Sequence, residues 1–171
     1  MHSKLLFAII LLVSLSTNYG GKTVMDNIGK LNAAIYRNLQ SILSLKLQGI
    51  PIRSGQHDFL YVISQNEGIT QKELSERLFV DKSTTAKAVK NLISQGYVVK
   101  ETLLADKRFV QLYLTEQGKQ IIPHIQKTFL ELIEISTRNL SKEEADQAVS
   151  LLKIILDGLV EEKTQLYTKA E

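Results

Sequence analysis

The chain has 171 residues, of which 44% are hydrophobic and 23% charged, and its formal net charge is +3. The absence of cysteine excludes disulfides, thiolate metal sites and cysteine nucleophiles. Only two prolines and nine glycines, with abundant leucine, isoleucine, lysine and glutamate, argue against a disordered chain and favour helix. Length and composition therefore predict a mostly α globular protein with one domain, or one domain plus an extension.

The first 24 residues have the features of a secretory signal, because a basic start at residues 1–4 precedes an apolar run at 5–15. That run is too short to span a bilayer, which takes about 20 apolar residues. An alternative is a wrongly chosen start, since residues 20–22 can be encoded by a purine-rich ribosome-binding sequence just before Met25. Because the remaining chain has intracellular features, we interpret residues 1–24 as a non-native upstream extension and expect a cytoplasmic protein.

After Met25 the apolar residues recur at helical spacing and predict a long amphipathic helix. Its apolar positions are Ile28, Leu31, Ile35, Leu39, Ile42 and Leu45. The sequence Gly49-Ile50-Pro51 ends this helix. A second, shorter helix is predicted around Phe59–Ile63, ending near residues 66–68.

Two further helices are predicted on either side of a tight turn at residues 79–81. The first opens with a capping box, in which Thr70 is the N-cap and Glu73 is the third helical residue. The second is capped by Asp81, runs from Lys82 to about residue 95, and ends at Gly96. Two short helices joined in this way are typical of a helix-turn-helix.

The second of these helices separates into an apolar and a polar face at 100° per residue. The predicted buried face contains Ala86, Val89, Leu92 and Ile93. The opposite face contains Ser83, Thr84, Lys87, Lys90, Asn91 and Ser94. Between Lys82 and Arg108, six basic side chains stand against two acidic ones, which indicates either an interface for an anionic polymer or an ordinary solvated face.

Two β-prone segments follow, at residues 97–102 and 109–114, and predict a hairpin. The predicted loop between them, residues 103–108, ends in Lys107 and Arg108. A hairpin directly after a recognition helix is the wing of a winged helix-turn-helix. Its tip would bring these two basic residues beside a DNA backbone or into a minor groove.

The carboxyl-terminal part is predicted to form two long helices. The first starts at residues 115–118 and contains Pro123, so we expect a kink or a helix start at that proline. The second opens with a capping box at Ser141 and Glu144. The apolar faces of the terminal helices exceed what a small winged domain can cover, which favours a homodimer, with a monomeric bundle as the alternative.

These residues resemble the multiple-antibiotic-resistance regulator (MarR) family of bacterial transcription factors. The family's wing pattern Asp-x-Arg-x-x-x-Val-x-Leu-Thr matches residues 106–115, with Leu112 in place of valine, and its Thr-Glu-x-Gly-[Lys/Arg] pattern follows at residues 115–119. Residues 70–78 resemble its Glu-Leu-Ala-x-x-Leu helix, and residues 81–92 its recognition helix. One departure is Lys87, where many members carry arginine, which grips guanine bidentately.

The resemblance implies a winged helix-turn-helix at residues 53–118, flanked by helical dimerisation regions at 25–52 and 119–171. It implies a repressor, or less often an activator, that binds a pseudo-palindromic operator as an obligate homodimer and is often released by a small ligand. The expected DNA-binding residues are Lys82, Ser83, Thr84, Lys87, Lys90, Asn91, Lys107 and Arg108, with Asp106 positioning the wing. A ligand cleft between the dimer helices and the winged domain would be lined by Tyr36, His57, Tyr61 and Phe129, for which a plain core or interface role is the alternative.

Other chemistry finds little support in the sequence. His57 and Asp58 lack partners at metal-ligand spacing, and there is no phosphate loop, dinucleotide fingerprint or nucleophile motif. We therefore expect no metal site, no cofactor and no enzymatic activity. The competing hypothesis is a secreted helical protein with a genuine signal peptide and no DNA role, which leaves the wing pattern and the basic helix face unexplained.

Overall fold

The computed structural model describes residues 28–50, 52, 55–103 and 106–169, and for Leu103 and residues 106–109 it describes the backbone alone. The signal-like leader and its interpretation lie outside these residues. The elements in chain order are α1 (Ile28–Lys46), α2 (Gln56–Gln65), β1 (Ile69–Thr70), α3 (Gln71–Arg77), α4 (Lys82–Ser94), β2 (Val98–Leu103), β3 (Asp106–Leu114), α5 (Glu116–Thr137) and α6 (Lys142–Thr168). The described residues divide into two compact units between Phe129 and Leu130, within α5. The predicted mostly α fold with a small hairpin is confirmed.

The first unit has one apolar core, which joins α2, α3 and α4 to the sheet and to the first half of α5. Its fully buried side chains include Leu60, Ile63, Leu74, Val89, Leu92, Leu112 and Ile125. Burying a side chain of this size contributes about 1.5–3 kcal/mol relative to leaving it in water. This core therefore fixes α4 against the rest of the winged domain.

The helix-turn-helix forms as its capping residues predict. Thr70 and Glu73 make both hydrogen bonds of the capping box at α3. In the following turn the amide of Val80 donates to the carbonyl oxygen of Ser75, and Phe79 adopts a φ of +53°. Asp81 then caps α4, whose end at Gly96 has a φ of +78°.

The buried face of α4 differs from the predicted one. Thr85, Ala88, Val89 and Leu92 are buried, whereas Ala86 is exposed. Thr85 tolerates burial because its hydroxyl donates to the carbonyl oxygen of Asp81, at 3.2 Å. Including Ala86 in the buried face was therefore wrong, and the face is centred about one sixth of a turn away.

The sheet is antiparallel, with strand order β1–β3–β2. The short strand β1 pairs Ile69 with Leu112 and was not predicted. Strand β2 is shifted by one residue from the prediction and ends at Leu103, and β3 is longer than predicted because it begins at Asp106, with which Leu103 pairs after an irregularity in the register. The predicted loop at 103–108 was therefore too long. The hydrogen-bonded pairing of the two strands continues into this segment and leaves only positions 104 and 105 between the strands.

Helix α5 begins at Glu116 and continues through Pro123, so a helix start at that proline was wrong. The Thr115 hydroxyl joins the start of α5 to the end of α4, because it donates to the carbonyl oxygen of Gly96 and accepts from the amide of Gly118. Gly118 lies so close to the backbone that an ideal Cβ would come within 2.2 Å of the Tyr97 carbonyl oxygen. Glycine is therefore required where α5 crosses the end of α4.

Helix α6 forms in the second unit and opens with the predicted capping box at Ser141 and Glu144. None of its residues is buried, and its large apolar side chains, apart from the half-buried Ile155, are 36–65% exposed in the single chain. In α1, which belongs to the first unit, only Leu43 is buried. No helix among the described residues has the length and hydropathy needed to cross a membrane.

Candidate nucleic-acid interface

The outer face of α4 is polar and basic. Lys82, Ser83, Thr84, Lys87, Lys90 and Ser94 are exposed, and Asn91 is partly exposed. Within the described residues none of the three lysines forms an ion pair with a carboxylate. The core on the opposite side of the helix holds this face outward, so its cations are available to an external anion.

Asp81 organises the first turn of α4. Its carboxylate accepts hydrogen bonds from the Thr84 amide, the Ser83 hydroxyl and the Thr84 hydroxyl, each at 2.7 Å. These hydrogen bonds lower the pKa of the exposed Asp81 carboxyl well below its usual range, with the Ser83 hydroxyl making the largest contribution. The sequence predicts the cap, but nothing in it indicates that the hydroxyls of Ser83 and Thr84 also donate to the capping carboxylate.

The wing is an antiparallel hairpin whose strands extend from Val98 and from Leu114 toward positions 104 and 105. Asp106, Lys107 and Arg108 belong to the start of β3. Their side chains lie outside the described residues, so their predicted roles stay predictions. On β2, the side chains of Lys100 and Glu101 are exposed.

Of the four residues suggested for a ligand cleft, the structure brings two into contact. The rings of Tyr61 and Phe129 meet edge to face, with centroids 5.3 Å apart and planes at 79°. Tyr36 is 61% exposed on α1. His57 is 2% exposed, and neither of its ring nitrogens has a hydrogen-bond partner among the described residues.

The buried His57 predicts a dependence of stability on pH. Burial lowers the pKa of His57, so below pH 6.5 the unfolded chain binds a proton that the folded chain does not. The free energy of unfolding should therefore fall as the pH is lowered from 7.5 to about 5.5. Burial raises the pKa of the neighbouring Asp58, and this favours the folded chain as the pH falls toward 4, so it acts in the opposite direction.

Urea unfolding of the parent and of His57→Gln across this range tests the assignment. The variant should lose most of the decline, whereas the control His124→Gln, at an exposed position on α5, should keep it. An unchanged decline in His57→Gln would assign it to another group.

Together, the helix-turn-helix, the hairpin that follows it and the basic outer face of α4 define a winged helix-turn-helix protein. Residues 48–108 match the family model described as MarR family. The HTH-type transcriptional regulator YybA of Bacillus subtilis is 30% identical over 128 residues, which cover 75% of this chain and 85% of that protein. The chain belongs to the MarR family of transcriptional regulators.

Solved structures give the same result. A MarR protein of Peptoclostridium difficile is 32% identical, with a TM-score of 0.77, over 88% of this chain and 99% of that one. A MarR family transcriptional regulator of Listeria monocytogenes, crystallised with a 26mer DNA, is 26% identical, with a TM-score of 0.75, over 81% and 92% of the two chains. None of these findings supports the alternative of a secreted helical protein without a DNA role.

Proposed function

We propose that the protein is a sequence-specific DNA-binding regulator, most simply a repressor, that acts in the cytoplasm as a homodimer on a pseudo-palindromic operator. The observation that carries this proposal is the exposed face of α4, where exposed lysines accompany small polar side chains on a helix fixed by the core. Such a face meets both needs of DNA recognition, phosphate neutralisation and contact with base edges. The protein acts by binding rather than by catalysis, as its regulator relatives suggest.

Each class of contact suits particular residues. Lys82, Lys87 and Lys90 are proposed to contact phosphates, because an ammonium acts as a compact point charge. Ser83, Thr84 and Asn91 are proposed to contact base edges in the major groove. Lys107 and Arg108 in the wing are proposed to contact the backbone and the minor groove, with Asp106 holding the wing in place.

A Lys87→Ala substitution should weaken binding to specific and non-specific duplexes by a similar factor. It should also flatten the slope of log affinity against log salt concentration by about one, because one phosphate contact is lost. Fluorescence anisotropy at several salt concentrations measures both effects. The control Lys142→Ala, at an exposed position on α6, should keep the parental slope; an unchanged slope in Lys87→Ala would mean that Lys87 does not contact phosphate.

The dimer proposal depends on the apolar surface of the terminal helices. Ile28, Leu31 and Ile35 on α1 are about half exposed or more, and α6 has no buried residue. Helix faces with this many exposed large apolar side chains are rare on monomers, and such side chains are buried in homodimer interfaces. We therefore propose dimerisation through regions 25–52 and 119–171, with the DNA-binding domain at 53–118.

Analytical ultracentrifugation of the full chain should give a mass twice the 19.3 kDa of one chain at micromolar concentration. The two recognition helices of such a dimer would read half-sites about one helical turn apart. A stable monomer at this concentration would contradict the dimer.

A small effector that releases the operator is proposed to bind near Tyr61 and Phe129. The contact between these two rings supports a common aromatic wall of an effector site. His57 would add an imidazole ring to this site, and Tyr36 would add a phenol ring. Small-molecule sites combine mostly apolar walls with a few polar groups of this kind.

Selection of bound duplexes from a genomic or random pool tests the function as a whole. The purified protein should enrich sequences that share an inverted repeat. Failure to enrich any sequence over the starting pool would exclude sequence-specific binding, and recovery of a processed chain from culture supernatant would favour the secreted alternative.

A further inference from the structure

The hydroxyl groups of Ser83 and Thr84, at the start of α4, have a fixed hydrogen-bond polarity, which means that each can act only as a donor to Asp81 and only as an acceptor toward other groups. Ser83 Oγ lies 2.7 Å from Asp81 Oδ1, and Thr84 Oγ1 lies 2.7 Å from Asp81 Oδ2. An ionised carboxylate only accepts hydrogen bonds, so in both pairs the hydroxyl must be the donor. A hydroxyl carries one hydrogen, and both are therefore already used within the protein.

The ionised state of Asp81 is secure under physiological conditions. Three donors converge on its two oxygens, and they hold the pKa of this carboxyl far below neutral pH. The side chains of Asp81, Ser83 and Thr84 are all exposed, so the groups left free for an incoming ligand are the oxygen lone pairs. The first turn of α4 thus presents acceptors to the solvent and no hydroxyl donor.

The direction of these hydrogen bonds matters because the major-groove edges of the bases differ in which donors and acceptors they present. Adenine and cytosine present exocyclic amino groups, N6 and N4, which are donors. Guanine O6 and N7 and thymine O4 are acceptors, and they need a donor from the protein. A serine or threonine hydroxyl can ordinarily donate to an acceptor on a base or accept from a donor. When its hydrogen is already bonded within the protein, the hydroxyl can only accept, so it can contact only a base that presents a donor.

We propose that Asp81 fixes Ser83 and Thr84 as acceptors, so that the start of α4 selects, at each position these hydroxyls reach, the orientation of the base pair that places the amino group of its adenine or cytosine opposite the hydroxyl oxygen. The inference rests on the proposed function, and it assigns to Asp81 a positioning role in specificity beyond its capping of the helix. Asp81 acts through the two hydroxyls and need not touch the DNA itself.

The matched variant is Asp81→Asn. Asparagine is as good an N-cap as aspartate, so α4 should stay capped and the thermal melt should change little. Its amide nitrogen, however, donates hydrogen bonds, so one hydroxyl no longer has to donate to residue 81 and can turn its hydrogen toward a base. Because the substitution also removes a negative charge, Glu101→Gln, at an exposed position on β2, serves as the charge control.

The experiment begins with selection of duplexes from a random pool by the full-length parent chain, by Ser83→Ala and by Thr84→Val. Positions at which the preference of the parent disappears in either variant are those the hydroxyls read. At these positions the parent should depend on the amino group of the pair it selects, so that in an A·T pair the replacement of adenine by purine, which lacks the amino group, should weaken binding about fivefold. Replacing it by 7-deaza-adenine, which keeps the amino group, should have little effect.

Asp81→Asn should bind the selected sites but lose most of the preference for the amino group, and Glu101→Gln should retain it. Three results would overturn the inference while leaving sequence-specific binding established. These are undiminished binding when the amino group of the pair read is removed, no altered position in the Ser83 and Thr84 variants, or an unchanged dependence on the amino group in Asp81→Asn. A parent chain that selects no sequence would overturn the proposed function, and the inference with it.

Discussion

Replacing Gly118 by alanine is expected to lower the free energy of unfolding by about 3 kcal/mol, near the upper end for overpacking a tight site. The added Cβ would lie 2.2 Å from the carbonyl oxygen of Tyr97, far inside van der Waals contact. That oxygen cannot move away cheaply, because it accepts a hydrogen bond from the Thr115 amide at 3.1 Å and because Tyr97 itself is 2% exposed. Relief of the clash would therefore separate α5 from the end of α4.

Chemical denaturation of Gly118→Ala and the parent measures this loss. The control is Gly158→Ala, in the interior of α6, where an added Cβ meets no atom of the chain within 4 Å. Because alanine is the better helix former, this control should be as stable as the parent or more stable by about 0.5–1 kcal/mol. Parental stability in Gly118→Ala would show that α5 and the Tyr97 backbone do not approach as closely as described.

Replacing Arg108 by alanine is expected to cost about 1–3 kcal/mol of specific DNA binding. The residue lies at the start of β3, within the wing pattern that resembles that of the MarR family, and it is the last residue of the segment that matches the family model. A guanidinium is planar and weakly hydrated, and the negative potential of a narrow A·T-rich minor groove attracts it. Because the backbone places the residue near the turn of the hairpin, we expect its removal to change stability by about 0.5 kcal/mol or less.

Operator affinity at fixed salt, measured beside thermal melts, separates a DNA contact from a structural effect. Asp106→Ala is the comparison, because it should act only by loosening the wing and should cost less affinity than the loss of the arginine. If Arg108→Ala bound its operator as tightly as the parent, the wing arginine would not contact DNA.

Much of the helical framework follows from short-range rules in the sequence. The capping boxes at Thr70 and Ser141 form as predicted, because each depends on residues three positions apart. The end of α4 at Gly96 follows in the same way from the left-handed conformation that glycine adopts freely. These elements could be predicted because their determinants are local.

The errors arise where tertiary contacts decide. Thr85 is buried because the Asp81 carbonyl satisfies its hydroxyl, whereas periodicity alone favoured the apolar Ala86. The strand β1 has only two residues and exists because β3 offers it a partner. The extent of the wing likewise depends on a ladder that continues through an irregular pair, which β-propensity does not show.

The sequence predicts which residues form the candidate site, but it does not predict which of them donate and which accept hydrogen bonds. The exposed face of α4 follows from helical periodicity and the basic residues on it. The hydrogen-bond polarity of Ser83 and Thr84 depends on side-chain rotamers around Asp81, and these are decided only in the folded chain. A sequence can therefore indicate which residues face DNA without indicating whether they donate or accept.

A competition titration measures directly whether the protein binds DNA sequence-specifically as a dimer. Operator duplex from the selection and a scrambled duplex of equal length and composition compete for the full-length protein at 0.15 M salt. We expect a preference for the operator of about a thousandfold or more, with two chains bound per site. Equal affinity for the two duplexes would contradict it.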